Sequence, residues 1–89
     1  MKVNDIYILS FYNDDFETML YKRRLVLTEI DGDEMHFKNI ENIFENTFWK
    51  ESIGTRYTVD IDFFNGPYTK NKYKIEYFGN ADQYPEYLI

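Results

Sequence analysis

The side chains able to do acid–base or metal chemistry are few in this chain and gather mostly in one place. His36 is the single histidine, and Glu29, Asp31, Asp33 and Glu34 stand shortly before it. One imidazole excludes a two-histidine metal motif and leaves a serine no choice of general base. Asp31 and Asp33 have the Asp-x-Asp spacing that opens a calcium loop. The chain then enters an apolar strand pattern where further oxygen ligands and a closing glutamate would be needed. Ser10 and Ser52 lack the flanking glycines of a nucleophile elbow, and there is no glycine-rich phosphate loop. Cysteine is absent, which removes thiol nucleophiles, thiolate metal sites and disulfides together. The expectation is no catalytic residue, no metal and no cofactor: the acids, including Asp14, Asp15 and Glu17, are solvated turn residues, and His36 pairs with a carboxylate.

Cations and rings form the second constellation. Lys22-Arg23-Arg24 is a short basic run, and Lys70, Lys72 and Lys74 alternate along one segment with Phe64 and Phe78 on the same parity. Lysine and arginine beside exposed rings is the chemistry of single-stranded nucleic-acid binding, in which bases stack on rings and cations meet phosphates. The formal charge of −6 argues against non-specific coating of nucleic acid. Aromatic residues make up 20% of the chain, more than one small core usually needs, and surplus rings are what protein interfaces use as anchors.

These side chains must be positioned by a single domain, residues 1–89, because a chain of this length buries only about 60–65% of its unfolded surface and needs every large ring it can pack. The clearest strand pattern is 56–64, where Tyr57, Val59, Ile61 and Phe63 alternate with Arg56, Thr58, Asp60 and Asp62. A second is 72–78, and the Asn65-Gly66-Pro67 turn between them predicts a hairpin with Asp60 opposite Lys74 and Asp62 opposite Lys72. Asp31-Gly32-Asp33 predicts another hairpin, from 25–30 to 34–38. In it Val26, Ile30, Met35 and Phe37 share one face, and Leu25, Leu27, Glu29, His36 and Lys38 the other. Residues 6–12 are apolar on both parities, as in a central strand covered on both faces or one covered by a partner.

The spacing of Ile40, Ile43, Phe44 and Phe48, with Asn39 as cap and Gly54 just past the end, predicts a helix over 39–52. Glu41 and Glu45 fall on its wet face. Residues 14–23 read either as a short capped helix or, preferably, as the start of a long strand reaching Ile30. The resulting expectation is an α+β fold: a mostly antiparallel sheet of about five strands with one main helix, 39–52, on one face. A ferredoxin-like arrangement with a second helix at 14–23 is the alternative. Expected core residues are Val26, Met35, Phe37, Ile43, Phe44, Phe48, Val59, Ile61, Tyr73 and Ile75. The tail 79–89 either packs back on the sheet or lies on a partner.

The N-terminal segment has no cleavage-site pattern, and no stretch approaches the roughly 18 apolar residues of a membrane span. Cytoplasmic residence without membrane association is expected. Alanine occurs once while Asn, Ile, Lys, Tyr and Phe abound, the bias of an AT-rich coding sequence such as that of a phage, an archaeal virus or a low-GC bacterium. In size and composition the chain is similar to the small acidic inhibitors that viruses direct against host enzymes, some of which mimic nucleic acid. The functional expectation is a non-enzymatic protein-binding module, an inhibitor or regulator acting by steric occlusion of a partner protein or by partial nucleic-acid mimicry. Its expected contact residues are Phe64, Tyr68, Phe78, Arg56, Trp49, Glu41 and Glu45. Self-association as a homodimer would use the same surface. The alternative is a small nucleic-acid-binding module using Arg56 and the lysine strand.

Overall fold

The computed structural model describes residues 2–14, 17–60, 73–84 and 86. Five strands follow one another: β1 Asp5–Tyr12, β2 Met19–Asp31, β3 Glu34–Glu45, β4 Arg56–Asp60 and β5 Tyr73–Asn80. A single 3-10 turn, Thr47–Trp49, stands between β3 and β4. All strand pairs are antiparallel, in one sheet of order β4-β3-β2-β1-β5. The described residues are therefore all-β, which overturns the α+β class. The helix expected over 39–52 is absent. The ferredoxin-like alternative falls with it, because Met19–Asp31 is one strand. No helix among the described residues is long and apolar enough to cross a membrane.

Bulges explain the helical mimicry. In the ladder between β2 and β3, Leu25 faces Asn39, Arg24 faces Glu41, Arg23 faces Asn42 and Lys22 faces Phe44, so Ile40 and Ile43 are extra residues. Two insertions three positions apart break strand alternation and create an i, i+3 apolar spacing. The stretch is also poor in strong helix formers, with β-branched and aromatic residues that suit a pleated surface. Asn39 is fully buried and does cap, although not a helix. Its Nδ2 donates to Asn42 Oδ1 at 2.8 Å, its Oδ1 accepts from the Glu41 N–H, and its backbone bonds sideways to Gly54 and Thr55.

The β2–β3 hairpin closes with Asp31 opposite Glu34, and Gly32 takes the positive φ of 61° that the tight turn requires. A further bulge at Thr28, whose hydroxyl donates to the His36 carbonyl at 3.0 Å, reverses the expected faces. Leu27 stands opposite Phe37, so Leu25 and Leu27 share the face of Met35 and Phe37, and Val26 lies on the other.

The expected pairing of Asp60 with Lys74 is also overturned, since β4 and β5 are the two edges of the sheet. β4 bonds to β3, and β5 bonds to β1 with Ile75 opposite Leu9 and Tyr73 opposite Phe11. Matching apolar side chains removes more surface from water than exposed ion pairs return in energy. The remainder of that expected hairpin, residues 61–72, lies outside the described residues.

The sheet curls, because side chains from both edges pack on one cluster. Tyr7, Leu9, Tyr21, Leu25, Leu27, Met35 and Phe37 are buried on the concave face, with Tyr57 and Val59 arriving from β4 and Tyr73 and Ile75 from β5. On the convex face Ile6, Val26 and Ala81 form a smaller cluster, covered by Ile40, Phe78 and Tyr84. Residues 79–84 thus turn back onto the sheet. Asn80 Nδ2 donates to buried Asp5 Oδ1 at 3.0 Å, and Ala81 N–H donates to the Asn4 carbonyl at 2.8 Å. Gly79 is required there, since a Cβ would stand 2.6 Å from the Tyr84 ring.

Candidate functional site

Two surfaces have the geometry to bind something. The first is built where β3 ends and the chain crosses to β4. Five apolar side chains between residues 43 and 53, Ile43, Phe44, Phe48, Trp49 and Ile53, are each at least 40% exposed, and Phe48 reaches 92%. The backbone that presents them is pinned. Asn46 Oδ1 accepts from the Phe48 N–H, Asn42 Nδ2 donates to the Glu51 carbonyl at 2.7 Å, and the Glu51 N–H donates to Glu45 Oε2 at 3.2 Å.

Arg23 anchors this segment from below. Its side chain rises from β2 on the concave face, 4% exposed, with its guanidinium carbon 3.7 Å from the Tyr21 ring centroid. One terminal nitrogen pairs with Glu51 Oε2 at 2.7 Å and donates to the Tyr57 hydroxyl, while the other donates to the Trp49 carbonyl. The Tyr57 hydroxyl in turn donates to Glu51. Burial, reinforced by that bond to Glu51, pushes the Tyr57 hydroxyl pKa well above its ordinary value, so it is a fixed donor at neutral pH. The indole of Trp49 closes the arrangement against Phe11 at 5.3 Å and Tyr21 at 6.2 Å between ring centroids. The outcome is a rigid ledge from which Phe48 projects.

The second surface is a cavity of about 350 Å³ on the concave face. Its floor is Tyr7, Leu9, Leu25 and Phe37, and its walls are Tyr57 and Val59 on one side and Tyr73 and Ile75 on the other. Tyr21, also in the lining, is hydrogen-bonded to Tyr73, and burial raises its pKa far above the usual range.

Compared with known protein families, curated proteins and solved structures, the chain matches none. Its site must be read from its own chemistry.

The described residues among those expected to contact a partner are scattered by the fold. Trp49 is on the ledge and 41% exposed. Glu41 and Glu45, expected on a wet helix face, are occupied instead: Glu41 pairs with Arg24 across the ladder, and Glu45 holds the Glu51 backbone. Phe78 shares the convex face with Lys74, as its parity implies, but Tyr84 covers it with ring centroids 4.9 Å apart and Arg24 lies over it at 4.6 Å. Arg56 is exposed on the β4 edge, opposite Lys38. Phe64, Tyr68, Lys70 and Lys72 lie outside the described residues. Lys74 pairs with Glu76 at 2.8 Å, and that bond holds the Glu76 carboxyl below its ordinary pKa.

His36 is half-buried opposite Glu29 in the ladder, with Nδ1 3.3 Å from the Thr58 hydroxyl and Nε2 3.8 Å from Glu34. Asp31, Glu34 and His36 bring one potential ligand atom each within 4.8 Å of one another, at the exposed end of the hairpin. Reading the sequence assigned Ile43, Phe44 and Phe48 to the core of a helical packing face. It missed them as exposed apolar side chains, and Ile53 with them. The available signal was the run of β-favouring residues with no alanine or leucine between 39 and 53.

Proposed function

We propose that this chain is a non-enzymatic protein-binding module, a small acidic inhibitor or regulator that occludes a site on a partner protein through the 43–53 ledge. The observation that carries the reading is Phe48, a large ring 92% exposed on a backbone fixed by the Arg23–Glu51 network. A ring on a fixed backbone leaves only its own side-chain rotation to be ordered on binding, which lowers the cost of association. Trp49, next in the chain and 41% exposed, packs against Phe11 and Tyr21 at its base.

The test compares wild-type protein and Phe48→Ala as baits from host extract, with mass spectrometry of what each retains. A specific protein held by the wild type should bind the variant about 10- to 30-fold more weakly, a loss of about 1.5–2 kcal/mol, while the melting temperature stays nearly unchanged. A partner retained equally by both would overturn the ledge. Turnover of phosphoesters, peptides or nucleotides by the purified chain would overturn the non-enzymatic reading. Sedimentation of the free chain identifies a second copy as the partner if the variant alone is monomeric.

A further inference from the structure

We propose that the tip of the β2–β3 hairpin is a site for a divalent transition-metal ion of the zinc class, held by Asp31, Glu34 and His36. The site lies apart from the ledge and does not rest on the protein-binding reading. The spacing of the acids along the chain speaks against a calcium loop, but the hairpin adds an imidazole to them. Asp31 and Glu34 face each other at its closing pair, and His36 follows Glu34 by two residues, so it returns to the same face of the sheet. One ligand atom from each lies within 4.8 Å of the other two. Ligands around a tetrahedral ion stand about 3.4 Å apart. The three therefore have at most about 1.4 Å to close, a movement that the exposed carboxylates of Asp31 and Glu34 make by turning about their own bonds.

Two observations beyond the clustering itself point to a cation. The first is charge. Among the described residues, Glu29, Asp31, Asp33 and Glu34 of the hairpin tip pair with no lysine or arginine, whereas Glu41, Glu51 and Glu76 each have such a partner. Like charges directly opposite each other, as on Asp31 and Glu34, destabilise a strand pair, and a cation between them removes that penalty. The second is the setting of the imidazole. Its Nδ1 is 3.3 Å from the hydroxyl of Thr58, which belongs to β4 and not to the cluster, and its Nε2 is 3.8 Å from Glu34 Oε2. A histidine with one ring nitrogen hydrogen-bonded to a neighbouring oxygen is oriented to offer the other as a ligand, the arrangement that stands behind metal-bound histidines. Imidazole suits zinc and its neighbours, while calcium and magnesium take oxygen ligands. Three protein ligands leave the fourth position of a zinc ion to water.

The test is isothermal titration calorimetry of the full chain, free of any affinity tag, with zinc chloride and, for comparison, calcium chloride. One saturable zinc ion per chain is expected, bound at least tenfold more tightly than calcium. His36→Asn should weaken zinc binding at least tenfold at unchanged circular dichroism. Glu34→Gln, at an exposed position, serves if the first variant does not fold. Thr58→Val removes no ligand and should still weaken zinc binding about tenfold, the loss typical of a partner behind a metal-bound histidine. Absence of saturable zinc binding, or zinc binding indifferent to a folded ligand variant, would overturn the site. Calcium bound as tightly as zinc would overturn the part given to the imidazole and leave only an acidic cluster. Zinc binding unchanged by Thr58→Val would overturn the orienting role of that hydroxyl.

Discussion

Arg23 and Arg24 are adjacent in sequence, lie on opposite faces of β2, and each rests on an aromatic ring. Their surroundings differ in kind. Arg23 is sealed under the 3-10 turn, with Glu51, Tyr57 and the Trp49 carbonyl all held by one guanidinium. Arg24 lies on the convex face over Phe78, and its partner Glu41 is 45% exposed to water. A buried charge network of the first kind fixes geometry at a high desolvation cost, and losing one member leaves the others stranded. Arg24 itself is 14% exposed, and a pair with one partner half in water contributes less and fixes less. The concave side of the sheet end is therefore where this molecule has invested in a single conformation, and that conformation presents the ledge.

The strongest way to break this contrast is Arg23→Met, which keeps much of the packing and removes the charge. It should cost about 3 kcal/mol, near the lower end for a broken buried pair because Glu51 retains some exposure. A shift in the urea midpoint measures it, and the double variant with Glu51→Gln should recover part of the loss.

Alkaline titration sharpens the same contrast. Tyr21 and Tyr57 on the concave face, and Tyr7 beside them, have pKa values raised above the ordinary tyrosine value of 10.0, with burial as the main cause. The unfolded chain ionises them first, so the stability they lend is fully present below pH 10 and falls as pH rises beyond it. Each tyrosine kept protonated only in the folded state adds a slope on the order of 1 kcal/mol per pH unit. The part of the tyrosinate absorbance that disappears when Tyr21 and Tyr57 are replaced by Phe should be the part that rises only with the loss of circular dichroism, and its appearance in a fully folded chain would show that the concave rings are wet.

Arg24→Met should cost only about 0.5–1 kcal/mol by the same urea measurement, and a loss equal to that of Arg23→Met would erase the distinction between the faces. Smallest of all is Phe44→Ala. Placed in a core, that ring would be worth about 3–5 kcal/mol. At 47% exposure its removal should change stability by about 0.5 kcal/mol or less.

Phe44 also shows where sequence reading reached its limit. The Asp31-Gly32-Asp33 hairpin was legible because turn chemistry is local, and β1 was legible as a central strand because it is apolar on both parities and takes neighbours on both sides. The stretch 39–45 was misread because an inserted residue leaves no mark in the sequence. Bulges at Ile40 and Ile43 convert an alternating pattern into a helical one, and the bulge at Thr28 exchanges the faces of Val26 and Leu27. The choice of partner for β5 was hidden for another reason. Charge pairing between Asp60 and Lys74 is a short-range signal, whereas the actual pairing with β1 is decided by apolar matching between segments far apart in the chain. Of the expected contact residues that the structure describes, Trp49 is exposed within 43–53 and Glu45 bonds the backbone there, whereas Glu41, Arg56 and Phe78 lie elsewhere on the sheet; Phe64 and Tyr68 lie outside the described residues.

The bond between Asp5 and Asn80 joins positions 75 residues apart. Every other strand pair in the sheet joins neighbours in sequence, so β1 through β4 assemble as successive hairpins, each closing a short loop. Only β5 must travel back across the whole series. Such non-local pairing slows folding, since the chain loses entropy before contacts reward it. During synthesis β1 therefore holds an open, apolar edge from the moment β2 pairs with it until residues 73–80 have emerged. An edge of that composition is a template for pairing with another chain. Concentration and the pace of translation should decide how much of the nascent protein reaches the native sheet, and the vulnerable strand in that interval is one of the best buried once folding is complete.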